Sequence, residues 1–160
     1  MDSLSGRLSA LLACAFTLGA CSSDLVKDLP QGWEGAAQAK YLVQEACPGS
    51  EDFTDEHASF AGGEGSIAVD YQHAHFRCEQ DVEGFFKVGD GTVDMLVQPI
   101  DMNPSAAARC DCGYNITFLA EPVAAGTVQT TLYRRWDAIN YPNDPVPIAS
   151  AAVVVQGAIH

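Results

Sequence analysis

The sequence predicts a mainly β fold, an antiparallel, immunoglobulin-like β-sandwich with one helix ahead of its strands. Three observations carry the prediction. From Ser66 onward, apolar side chains recur at every second position, the period of a half-buried strand. The segments between these runs are short and hold glycine, proline and aspartate, as tight turns require. Before Ser66, only Glu34 to Cys47 has the three-to-four spacing of an amphipathic helix.

Residues 1–20 have the layout of a secretory signal. Arg7 precedes an apolar run, Leu8 to Ala20, that ends in small residues. The run is interrupted by Ser9 and Thr17 and falls short of the about 20 apolar residues that span a bilayer. It closes on Leu18-Gly19-Ala20-Cys21, which resembles the lipobox of bacterial lipoproteins, whose cysteine is diacylated and becomes the first residue after cleavage. The resemblance makes Cys21 the lipidation site and the membrane a partner through its acyl chains. Ser22, in place of an aspartate, points to the outer membrane rather than the inner. Residues 21–33 then form a polar tether, and residues 34–160 a single domain of ordinary size.

Within that domain, Glu34 to Cys47 is rich in Ala, Gln and Glu, with Ala39, Leu42, Val43 and Ala46 on one helical face and Pro48-Gly49 as a stop. Residues 50–66 read as an acidic, glycine-containing loop. Ile67, Val69 and Tyr71 begin the first strand; near His73 the apolar parity switches to Ala74 and Phe76, which a β-bulge would explain. Phe85–Val88 and Thr92–Val97 flank Gly89-Asp90-Gly91, a hairpin signal. Cys112, Tyr114, Ile116 and Phe118 share a face of the next strand, and Val128, Thr130 and Leu132 a face of the one after. Ile148–Val155 is the last, nearly continuous apolar strand, following the proline-rich stretch Tyr141 to Pro147.

Removing residues 1–20 takes away one acid, Asp2, and one base, Arg7, so the formal charge of −13 is unchanged. Such a surface repels phosphate backbones and argues against nucleic acid as a partner.

Four cysteines remain beyond Cys21, and two chemistries fit them. An even count in an exported domain is the usual mark of disulfides. Cys110 and Cys112 are too close on an extended strand to pair with each other, so each reaches Cys47 or Cys78. Side-chain parity favours Cys78 with Cys112, leaving Cys47 for Cys110. The alternative is a metal site: His73 and His75 lie two apart, Cys78 follows, and Cys110-x-Cys112 is a second close pair. Together His73, His75, Cys78, Cys110 and Cys112 offer donors suited to zinc or copper(I).

The stretches QHAHFRCEQDVEGF, LVQPIDMNP, ARCDCGYNITF and LYRRWD, within Gln72 to Asp137, resemble a group of small envelope lipoproteins of the myxobacterial type. A looser similarity links the histidine, the cysteine and C-x-C-x-Y to small Bacteroides-type envelope lipoproteins. The resemblance covers less than half of the chain. It implies a characteristic centre at His75, Cys78, Cys110, Cys112 and Tyr114, and it implies no activity. Asn115 departs from the aspartate expected after that tyrosine.

Other chemistry is thinly represented. There is no G-x-S-x-G elbow, no H-E-x-x-H and no phosphate-cradling glycine loop. Asp52, Asp55 and Glu56 lack the spacing of a calcium loop and read as a solvated acidic loop. Arg134-Arg135-Trp136-Asp137 reads as a strand end, with the tryptophan packed and an arginine paired to Asp137 or another local acid. Asn115-Ile116-Thr117 matches a glycosylation sequon that a bacterial lipoprotein would not normally have modified. The expectation is a lipid-anchored, non-catalytic binding or structural module of the cell envelope; the alternative is a zinc- or copper-binding protein using the His/Cys cluster.

Overall fold

The computed structural model describes residues 29–47, 55–78, 80–100, 110–136 and 145–157. The signal segment, Cys21, the Pro48-Gly49 stop, Asp52, Asp137 and most of the Tyr141–Pro147 stretch lie outside the described residues. The described residues hold nine strands: β1 (Ala37–Gln38), β2 (Lys40–Gln44), β3 (His57–Gly63), β4 (Ser66–Arg77), β5 (Val82–Val88), β6 (Thr92–Pro99), β7 (Asp111–Ala120), β8 (Gly126–Arg134) and β9 (Val146–Val155). They form a five-stranded sheet in the order β1-β5-β6-β8-β9 and a four-stranded sheet in the order β2-β7-β4-β3.

The helix expected over Glu34–Cys47 is replaced by β1 and β2. Burial along β2 alternates: Leu42 is partly buried and packs against the core while Tyr41 and Val43 are exposed. The open edge of β7 offers backbone partners to this segment, and that pairing overrides its weak helical preference. A second correction concerns the expected loop over residues 50–66. His57–Gly63 is strand β3, paired residue for residue with β4 from His57↔Gln72 to Gly63↔Ser66. A third concerns strand direction, since β6 and β8 run parallel and make the larger sheet mixed rather than antiparallel throughout.

The β5–β6 hairpin forms where Gly89-Asp90-Gly91 places it: Gly89 N–H donates to Thr92 O at 2.9 Å, and Gly91 takes the left-handed φ of 69° open to glycine. The parity switch in β4 is a bulge, with the register against β7 shifting between Tyr71 and Ala74 and His73 at φ 54°. Tyr71, Ala74 and Phe76 are consequently all fully buried.

One apolar cluster takes side chains from both sheets. Phe86, Val93, Met95, Leu132 and Val153 come from the first, and Ile67, Val69, Tyr71, Phe76, Ile116 and Phe118 from the second. Burying each large side chain contributes about 1.5–3 kcal/mol. The sheets approach each other at both margins. On one side the chain steps directly from β1 to β2, with Ala39 N–H donating to Gly84 O at 2.8 Å. On the other, Glu64 and Gln156 form a parallel bridge where β3 meets β9.

A second, smaller cluster lies outside the main core. Trp33, which the sequence places in the tether, is 5% exposed and packs with Phe85 and Leu96, flanked by Leu29, Ala36 and Tyr133. Lys87 Nζ lies 4.5 Å from the centre of its ring. Leu29 and Trp33, which the sequence reading assigns to the tether, therefore pack against the folded body.

Candidate functional site

The register of β4 against β7 decides the cysteine chemistry. Phe76 pairs with Cys112 and Arg77 with Asp111, and Cys78 N–H then donates to Cys110 O at 2.9 Å. Cys78 and Cys110 are thus cross-strand neighbours in one sheet, and they form a disulfide with Cα atoms 5.4 Å apart. Cys112 points into the core and bonds to Cys47, which follows β2, at a Cα separation of 5.9 Å. The pairing is therefore 47–112 and 78–110, a correction of the expected one. Parity within each strand says nothing of which strands are neighbours, and β4 and β7 are adjacent.

With all four sulfurs in disulfides, Cys78, Cys110 and Cys112 present no thiolate to a metal. Among the described residues, no group of three or more His, Cys, Asp or Glu side chains is placed to hold an ion. The two histidines of the expected set also have separate neighbours. His73, on the bulge, has its ring 6.2 Å from that of His57. His75 has Nε2 at 3.4 Å from Asp111 Oδ2 and its ring edge-on to Trp136, centroids 4.3 Å apart.

Around His75 the structure builds a polar clasp. Strand β3 starts opposite Gln72, so β4 runs on beyond it with no strand among the described residues beside it on that flank. Backbone groups there need partners, and two side chains supply them. The His75 N–H donates to Glu56 Oε1 at 3.2 Å, and Arg134 Nη1 donates to His75 O at 3.1 Å. Arg134 Nη1 also donates to Glu56 Oε1 at 2.9 Å, and the Tyr71 hydroxyl donates to the same oxygen. Glu56 precedes β3 in the smaller sheet and Arg134 ends β8 in the larger, so the pair ties the two sheets together. Burial holds the Tyr71 phenol protonated, well above its usual range, with the Glu56 charge adding to the effect. Burial also lowers the His75 pKa, against the opposing pull of Asp111.

Three donors converge on one carboxylate oxygen and hold the Glu56 side chain in place. The sequence contains its members but not their association. One arginine of the Arg134-Arg135 pair is expected to meet Asp137, which lies outside the described residues, or another local acid; Arg134 pairs instead with Glu56, 78 positions away. Trp136 is packed as expected, stacked at 6.4 Å on Phe76. Tyr114, part of the centre implied by resemblance, is buried and donates its hydroxyl to Arg77 O at 3.2 Å. Asn115 Nδ2 donates to Glu45 Oε2 at 3.0 Å on the exposed face. Compared with known protein families, curated proteins and solved structures, the chain matches none of them.

Proposed function

We propose that this chain is an exported lipoprotein, acylated at Cys21 and held on the cell envelope, on the outer membrane in keeping with Ser22, as in the small envelope lipoproteins it resembles. Its body is an immunoglobulin-like β-sandwich serving as a binding or structural module. The observation that carries the reading is the division of the cysteines. The four beyond the lipobox pair with one another; of the other two, Cys14 falls within the signal segment and Cys21, at the lipobox position, takes the acyl anchor. Two disulfides suit an oxidising compartment outside the cytosol. The early docking of Trp33 supports a short tether between anchor and body. The sandwich reading is supported by one core fed from both sheets.

Replacing the acyl acceptor tests the proposal. In the Cys21→Ser variant the unprocessed precursor accumulates and labelled palmitate is not incorporated. Normal cleavage and labelling of that variant would overturn the assignment.

A further inference from the structure

The outer face of the smaller sheet carries a groove, of about 320 Å³, towards the end of the β4–β7 ladder opposite the disulfides. Its floor follows the strand register. Ser59, Asp70 and Thr117 lie side by side across β3, β4 and β7, and Ala61 and Ala68 form the next row. Gln72 Nε2 donates to Asp70 Oδ2 at 3.1 Å and fixes the plane of the carboxylate. Tyr41 stands at the rim on the bulge of β2.

Tyr41 is the anomaly. It holds a φ of 53°, a conformation costly for a side chain with a bulky ring, and it is 75% exposed. The fold recovers almost no burial from this ring, so the reason for keeping it lies in what the ring meets outside the chain.

We infer that the groove binds an uncharged saccharide, with a sugar face stacked on Tyr41 and its hydroxyls bonded to Asp70, Ser59 and Thr117. The inference deepens the binding-module reading and rests on it. A carboxylate flanked by two hydroxyls matches a row of vicinal sugar hydroxyls, which donate to the first and exchange hydrogen bonds with the others. An exposed ring offers the apolar C–H face of a sugar a flat partner. Local charge argues against an anion, which Asp70 and the net charge of −13 repel. Lys40, adjacent to Tyr41, offers an anion no free charge, since its Nζ is ion-paired with Glu121 Oε1 at 3.4 Å, and the two hydroxyls beside Asp70 favour a polyhydroxyl ligand over a bare cation.

The test is calorimetric titration of the full, acylated chain in detergent micelles with cello-, malto-, xylo- and chitohexaose, and with hexalysine. At least one hexaose binds at concentrations up to about 5 mM. Tyr41→Asn, which keeps a residue tolerant of the left-handed φ, weakens that binding about tenfold while melting no lower than wild type. Asp70→Asn weakens it to a similar degree, and Tyr41→Phe retains it. Absence of binding by all four hexaoses overturns the inference, as does binding of hexalysine alone. A hexaose bound equally well by Tyr41→Asn and Asp70→Asn removes the groove as the site while leaving the binding-module reading standing. None of these variants alters Cys21, so the outcome is independent of the lipidation test.

Discussion

His75 is held half-covered between the Trp136 ring and the Asp111 carboxylate, with Glu56 and Arg134 gripping its backbone. Burial disfavours the imidazolium more than Asp111 favours it, so the folded-state pKa lies below the ordinary histidine value. The consequence for stability has a definite sign. Above the unfolded pKa of about 6.5 the ring is neutral in both states and the native arrangement is fully favoured. As pH falls through 6.5 towards the lower folded value, the unfolded chain takes up a proton that the native one resists, and stability is lost. Wild type should therefore lose more stability than His75→Gln between about pH 7 and pH 5, read from urea midpoints at a series of pH values. The two proteins differ only at this ring, so the difference isolates it. Parallel curves would show that the ring is as readily protonated in the fold as out of it.

At the level of the elements, the tightest constraint is the crossing of β3 and β9. A Cβ on Gly62 would stand 1.9 Å from Val154 O and 2.7 Å from its carbonyl carbon. Both are backbone atoms of a paired strand, so neither can yield cheaply. Gly62→Ala should cost about 2–3 kcal/mol and lower the melting temperature by several degrees. Gly113→Ala, whose Cβ would meet nothing closer than 3.4 Å, is the control and should melt within a few degrees of wild type. Equal melting of the two variants would mean that β3 and β9 do not touch here. This contact was invisible in the sequence, where Ala61-Gly62-Gly63 reads as loop punctuation. What was legible was whatever a single strand declares by itself. The alternation of Cys112, Tyr114, Ile116 and Phe118, the Gly89-Asp90-Gly91 turn and the parity switch at His73 each follow from local side-chain direction. What was not legible depended on which strand lies beside which. The Ala-rich segment became β1 and β2 because β5 and β7 had edges to offer, and the cysteines paired as they did because β4 and β7 are neighbours. The clasp joins Glu56 to Arg134 across the two sheets, and no local pattern announces a contact over that separation.

Across the whole molecule, the covalent links are unevenly placed. Both disulfides lie at one end of the smaller sheet, where the chain leaves β2 and β4 and enters β7, and among the described residues the larger sheet has no cross-link. The two sheets are joined instead by the shared core, the β1–β2 step, the β3–β9 contact and the Glu56–Arg134 pair. Closing loops with sequence separations of 65 and 32 residues restricts the unfolded chain enough to stabilise the fold by about 4 kcal/mol per bond in the chain-entropy account. A domain of this size has a net stability of only about 5–15 kcal/mol, so losing both bonds removes much of it. The bonds should also open in order. Cys110 is exposed and Cys78 partly so, whereas Cys47 is only partly exposed and its partner Cys112 fully buried; thiolate attack requires access to sulfur. Graded dithiothreitol followed by iodoacetamide and peptide mapping should label Cys78 and Cys110 first, with a modest drop in melting temperature. Cys47 and Cys112 should become labelled only with a second, larger drop, as the core around Phe76 and Ile116 opens. A chelator should leave the melt unchanged at every stage, because the sulfurs are bonded to each other. Simultaneous labelling of all four, or a melt that responds to chelator and not to reductant, would overturn this account of what holds the smaller sheet together.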